Sequence, residues 1–320
     1  MLSQPAAPNL WNPTVRDASS IHNKRLCEVK FNCDGTLLGS ATIDRTVKIG
    51  QLSDKSVMAT IRIIHAIPCI VSIAEICWHP TDPNRFAVIT GDKIVDIWDV
   101  RATRPAAKLY SLGNNIHAAW SPNGLYLAVG NNSDVLLVYD MLEFKQIKKA
   151  RYSYEMNEIG WSINSDYLLI AYGGKLPDSG GIDVLSLDKE LELVHTAQSH
   201  TGNAYSLQVD PTFRRLAMSS GDSLVSVWDL EELIVYRGLQ VMDTVTHISF
   251  SGDGNFLALA GDNHLVVCDA ESGEVMCRVD CRMKVLGLTW HPSLSLIAVA
   301  LDESTARERE RERGWVGEGR

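Results

Sequence analysis

Apolar residues in this chain come in short runs of four to seven, and the runs end at Gly, Pro, Asn or Asp, which marks strands and tight turns rather than helices. The clearest unit is residues 216–230, LAMSSGDSLVSVWDL. Leu216, Ala217 and Met218 open one strand, Gly221-Asp222-Ser223 is a turn signal, and residues 224–228 alternate faces before Trp228-Asp229. Similar units return along the chain. The residue that closes a strand just before a Ser-, Asn-, Asp- or His-bearing turn is in succession Phe31, Trp78, Trp120, Trp161, Val209, Phe250 and Trp290, at intervals of 40 to 48 residues. A period near 40–45 residues built from several short strands predicts an all-β, seven-bladed propeller. A two-layer sandwich shows similar turns but no register this long.

The fifth unit also carries the order of a WD-repeat blade: strand, turn, strand, Trp-Asp, with His200 upstream and followed by Thr201-Gly202. Asp222 lies six positions before Trp228, where its carboxylate can accept a hydrogen bond from the His200 ring. The other ring nitrogen can bond a hydroxyl, Ser219 or Ser220, that in turn reaches the Trp228 N–H. Such a relay fixes the blade's register because every buried donor has a partner. The same order predicts a second structural tetrad from His65, Asp92 and Trp98. Asp44, six positions before Gly50 and preceded by His22, and Asp262, six before Cys268, are further blade-turn aspartates in units that lack the tryptophan. A His, a Ser and an Asp can also form a nucleophilic triad, but this spacing recurs from unit to unit, and a triad does not.

In chain order, residues 1–25 read as an N-terminal arm able to close the last blade, 26–303 as the propeller, and 304–320 as an Arg/Glu-rich tail. Blade four is interrupted by KLPDSGG, so no tetrad is expected there. Blade seven begins with VLGLTWHPSLSLIAVAL (285–301) and lacks its Trp-Asp strand, so the last blade is incomplete. ARERERER in the tail alternates charge, which cancels most phosphate attraction, and its like charges at i,i+4 oppose a helix; a disordered tail is expected.

Charge and chemistry narrow the picture. The net charge of −9 argues against wrapping of nucleic acid by a basic surface. Seven cysteines without a Cys-x-x-Cys pair point to reduced thiols in a nuclear or cytosolic protein, with Cys27, Cys77 and Cys268 at strand positions suited to burial. The N-terminus has no secretory pattern, and residues 61–78, though apolar, contain Arg62, His65, Pro68 and Glu75, so no membrane segment is expected. Phosphate-loop, zinc-protease, nucleophile-elbow and dinucleotide motifs are missing from the sequence. His79 and His291, both in Trp-His-Pro turns, read as surface turn residues and not as metal ligands. No cofactor, no metal and no catalysis are expected.

Longer stretches carry a resemblance. CWHPTDPNRFAVITGDKIVDIWDVR, NNIHAAWSPNGLYLAVGNNSDVLLVYD, YEMNEIGWS, VDPTFRRLAMSSGDSLVSVWDLEELIVYR and SFSGDGNFLALAGDN, within residues 26–301, resemble the third subunit of the THO complex, the nuclear assembly that couples transcription to mRNA export. The resemblance implies a non-catalytic WD-repeat subunit. Such a subunit docks on the large helical scaffold subunit of THO, helps bring the DEAD-box export helicase to transcripts and meets RNA indirectly. The chain departs from the pattern at its end, where ARERERERGWVGEGR stands in place of the closing strand. No partner-binding residue can be assigned. A generic WD-repeat adaptor, such as a ubiquitin-ligase substrate receptor or a histone-tail reader, is the alternative, and a strongly basic or aromatic-lined central funnel would mark it.

Overall fold

β-Branched and large aliphatic residues dominate the short apolar runs, and each run pairs with the next across a tight turn. The computed structural model describes Thr14 and residues 25–52, 61–174, 179–240, 244–281 and 283–302. His22, the rest of the N-terminal arm, most of the KLPDSGG loop and the Arg/Glu-rich tail lie outside the described residues.

Six antiparallel four-stranded sheets and a two-stranded seventh follow one another, each paired in chain order. Blade one is β1 (Leu26–Phe31), β2 (Leu37–Thr42), β3 (Thr46–Leu52) and β4 (Ile61–Pro68). Blade two is β5 (Ile73–Trp78), β6 (Arg85–Thr90), β7 (Ile94–Asp99) and β8 (Ala107–Tyr110). Blade three is β9 (Asn115–Trp120), β10 (Tyr126–Asn131), β11 (Val135–Asp140) and β12 (Lys145–Arg151). Blade four is β13 (Glu155–Trp161), β14 (Tyr167–Gly173), β15 (Gly180–Ser186) and β16 (Glu192–His200). Blade five is β17 (Ala204–Val209), β18 (Arg215–Ser220), β19 (Leu224–Asp229) and β20 (Ile234–Gln240). Blade six is β21 (His247–Phe250), β22 (Phe256–Ala260), β23 (His264–Asp269) and β24 (Val275–Asp280). Blade seven is β25 (Val285–Trp290) and β26 (Ile297–Leu301).

The first strands contact one another in an unbroken cycle: β1, β5, β9, β13, β17, β21, β25 and back to β1. That cycle makes the sheets radial, with first strands at the axis and fourth strands at the rim: a seven-bladed β-propeller, with two strands of the last blade among the described residues. The apolar core lies between neighbouring blades, as where Ala87, Ile89, Val95 and Ile97 of blade two pack on Trp120, Leu127 and Tyr139 of blade three.

Every seam carries an inner-strand hydrogen bond. Where the landmark residue is Trp78, Trp120 or Trp161, its indole N–H donates to the preceding blade, at the carbonyls of Lys30 (2.9 Å), Cys77 (3.1 Å) and Ala119 (3.0 Å). Phe31 and Phe250 have no ring donor, so their backbone N–H groups donate instead to Thr289 Oγ1 (3.5 Å) and Gln208 Oε1 (2.7 Å). Trp290 N–H reaches Ser249 Oγ at 2.8 Å, and Asn157 Nδ2 reaches the Ala204 carbonyl at 2.7 Å.

The turn residue just after the landmark adds a latch. His79 and His291 are 7% and 4% exposed, which corrects their reading as surface turn residues. Each ring accepts turn N–H groups at Nδ1 and reaches the next blade: His79 bonds the Gly124 backbone, and His291 Nε2 donates to the Gly35 carbonyl at 3.0 Å. Gly35 and Gly124 have positive φ, and a Cβ on either would lie within 2.4 Å of that ring. The two histidines are therefore parts of the blade-to-blade fit. Arg25 and Asp302 form an ion pair of 3.0 Å across the same seam as His291 and Gly35.

The tryptophan position of the third strand is filled differently from blade to blade. Gly50 leaves a hole that Ile61 of β4 occupies, since a Cβ there would meet Ile61 Cγ2 at 2.3 Å. Tyr139 sends its hydroxyl to the Tyr110 carbonyl of blade two at 2.8 Å, and Cys268 is buried. All seven cysteines are free; Cys27 and Cys77 are only half-buried.

Candidate functional site

His200 ends β16, and Asp222 sits in the turn between β18 and β19. The His200 Nδ1 lies 3.0 Å from Asp222 Oδ2, and Nε2 lies 2.8 Å from Ser226 Oγ. Trp228 Nε1 donates to that same hydroxyl at 2.8 Å. An indole can only donate. The ionised Asp222 carboxylate can only accept, so Nδ1–H of the neutral ring donates to it, and the bare Nε2 accepts the Ser226 proton. Asp222 also accepts from the backbone N–H groups of Thr201 (3.0 Å) and Leu224 (3.1 Å).

The hydroxyl of this relay is Ser226 and not Ser219 or Ser220. Residues two apart in a strand share a face, so Ser226 lies beside Trp228. Ser220 Oγ instead accepts the Asp222 N–H at 3.3 Å, and Ser219 Oγ is buried without a hydrogen bond. Burial pushes the His200 pKa down against the pull of Asp222. For Asp222, burial works upward, but the Thr201 N–H, His200 and the Leu224 N–H outweigh it and hold the carboxyl below its usual range. The Ser–His–Asp geometry resembles a triad, yet Ser226 is buried and already holds the Trp228 N–H.

Blade two does not assemble the same set. His65 lies in the middle of β4, opposite Ile49, several residues before the strand end at which His200 sits in β16. Its ring meets the edge of Trp98, centroids 6.1 Å apart, and makes no hydrogen bond to Asp92. Asp96 holds the place of Ser226 and pairs with Lys108 at 3.7 Å, and Trp98 Nε1 is buried without a hydrogen-bond partner. Asp92 caps its own turn by accepting the Lys93 N–H at 2.7 Å. Asp44 accepts from the Thr42 hydroxyl, and Asp262 pairs with Lys284 at 3.5 Å.

Sequence reasoning missed the axial channel. Three positions before the landmark stand Glu28, Glu75, His117, Glu158, Ser206, His247 and Gly287, one per blade. In six blades a bulge falls just before this residue and turns its side chain. The first strands that carry these positions close a ring, so the seven side chains are set about one axis. Lys30 lies 3.9 Å from Glu75, and His117 Nδ1 lies 3.8 Å from Glu158.

Burial pushes Glu28 up to about 8, with Lys30 opposing and Glu75 and Glu158 adding. It pushes Glu158 up to about 7, against Lys30, and raises Glu75. The same burial would lower Lys30, but Glu28, Glu75 and Glu158 together hold it charged. His247 is pushed down to about 4 by burial and by Lys30 and Lys284. Burial pushes Cys77, which packs on the core between blades two and three, up to about 12, and it stays a thiol. The signal in the sequence was the shared offset from each landmark, legible only once the bulges are placed. Among the described residues no three His, Cys, Asp or Glu side chains are grouped to hold a metal, and no helix is long and apolar enough to cross a membrane.

Comparison with known proteins fits this architecture. The chain is 29% identical over 288 residues to THO complex subunit 3 of Arabidopsis thaliana, a match covering 89% of each. It is 29% identical over 236 residues to the WD repeat-containing protein AAC3 of Dictyostelium discoideum, covering 72% of this chain and 48% of that one. The family model described as the anaphase-promoting complex subunit 4 WD40 domain matches residues 210–293. The β-propeller domain of Cps50 (Swd1) from Myceliophteria thermophila superposes with a TM-score of 0.75 at 16% identity, covering 89% of this chain and 96% of that one. These findings support the resemblance to the third THO subunit and a WD-repeat scaffold on a β-propeller.

Proposed function

We propose that this chain is a non-catalytic interaction subunit of a THO-type complex, acting in the nucleus where transcription is coupled to mRNA export. The observation that carries the reading is a match to THO complex subunit 3 that spans 89% of both chains. On this reading the propeller docks on the large helical scaffold subunit, and through the assembly it serves the DEAD-box export helicase, with RNA met indirectly. The channel supports it over a generic adaptor: its ring of three Glu, two His and a neighbouring Lys is neither strongly basic nor lined by aromatics. The buried, fully engaged Ser226 supports a structural role for the His200–Asp222–Ser226–Trp228 set.

Affinity purification of the tagged chain from nuclear extract, read by mass spectrometry, tests the assignment. THO subunits and the export helicase are expected to co-purify. Ubiquitin-ligase subunits or histone-modifying subunits in their place would overturn it.

A further inference from the structure

The rim strands are exposed sheet edges, and the chain treats them differently. β12 carries Lys145, Lys148, Lys149 and Arg151, the kind of charge that keeps an edge from pairing with another strand. β20 has no such protection where Ile234, Val235 and Tyr236 stand in succession, 57%, 43% and 37% exposed. The next residues of the same strand form one wall of a groove of about 230 Å³ between blades five and six. Arg237, Gly238 and Leu239 line it from β20, and Val266, Val275 and Arg278 line it from blade six.

Two guanidiniums therefore line one groove. Both are exposed, and neither has an ion pair or a side-chain hydrogen bond among the described residues. Glu271, in the turn beside the groove, is already held by Arg215. Gly238 has open space where a Cβ would stand, so the groove is not closed from that side. An apolar edge that runs into a mixed polar and apolar groove with two unpaired cations is complementary to an extended chain carrying carboxylates.

We propose that the rim of blade five and this groove form a docking site for an extended acidic segment of a protein partner. The segment adds as a strand to the free edge of β20 and seats a carboxylate against Arg237 and Arg278. The volume admits one side chain rather than a row of stacked bases. The inference does not depend on which complex the chain joins.

The test uses the full chain and a fluorescein-labelled Val-Glu-Val-Glu-Val-Glu-Val peptide, followed by fluorescence anisotropy at low salt. Saturable binding is expected. The Arg237→Glu, Arg278→Glu double variant should bind at least about tenfold more weakly with an unchanged melting temperature, since both residues are exposed. A Gln-for-Glu peptide should lose affinity through the missing charge. A peptide N-methylated at alternate residues should lose it through the missing backbone donors. Equal binding by the parent and the double variant would overturn the proposal, as would full retention by the N-methylated peptide. Tighter binding of a uridine 12-mer, weakened by the same double substitution, would overturn it in favour of RNA.

Discussion

Asp222 is the hinge of the one relay that the described residues complete, and its removal has consequences that can be counted. Asp222→Ala takes away the acceptor for His200 Nδ1–H and for two backbone N–H groups. Leaving buried donors unpaired is expected to lower stability by about 1–3 kcal/mol. Asp92→Ala removes only a turn cap, because His65 never reaches it, and should lower stability by less than about 1 kcal/mol. Equal shifts in a urea titration would refute the difference. Trp228, Asp222 and His200 were legible in the sequence by type and spacing, and the chain brings them together. Ser226 was not, because its role follows from sharing a strand face with Trp228 rather than from any motif. The His65 assignment fails for a similar reason: upstream position says nothing of strand register, and three residues decide whether a ring reaches the turn aspartate of the next blade or stops against its tryptophan. His200 also sets a pH window. Its pKa is lowered on folding, so its contribution is present above the unfolded value near 6.5 and is lost as pH falls below it.

The inner strands share one plan, and their chemistry is a property of the element rather than of any single residue. Each alternates a side chain toward the axis with one toward the core between blades, and the bulge sets which is which. The turn register made these strands findable in sequence, since every landmark marks the end of one. The charge on the axis was not findable, because Glu28, Glu75 and Glu158 stand on different blades and are set about one axis only when the ring closes. Glu28 carries a testable sign. Its folded pKa is about 8 against an ordinary 4.5, so it favours the fold below 4.5, and that contribution is lost as pH rises through 8. Glu28→Gln is therefore expected to raise the melting temperature at pH 8.5 and to leave it nearly unchanged at pH 4. A pH-independent difference, measured by thermal unfolding at the two pH values, would show that Glu28 does not face the axial carboxylates.

At the scale of the whole molecule, blades meet only their neighbours, so stability is a sum over seams as well as sheets. The seam between blades seven and one joins a two-stranded sheet to a complete one, and there it rests on His291, Thr289 and the Arg25–Asp302 pair. His291→Ala would strip the partner from the Gly35 carbonyl and from the N–H groups of Ser293 and Leu294. Amide hydrogen exchange is expected to rise in β1, β25 and β26 of that variant while β17 to β19 stay protected. Uniform loss of protection would mean that the ring opens as one unit. Blade order, and the lack of a Trp-Asp strand in the sequence after residue 301, were readable from period and strand content. That the wheel nonetheless joins at its axis was not, because the latch is a buried histidine in a turn that looks like surface.

The inner-strand hydrogen bonds run around the whole axis, whereas the fourth strands at the rim reach their neighbours only through scattered contacts, such as those of Tyr110, His200 and Tyr236. The perimeter can therefore change without unfastening the hub. A rim strand can be shortened, exchanged or lent to another polypeptide while the circle of first strands holds its shape. This separates the part that must stay rigid from the part that is free to vary.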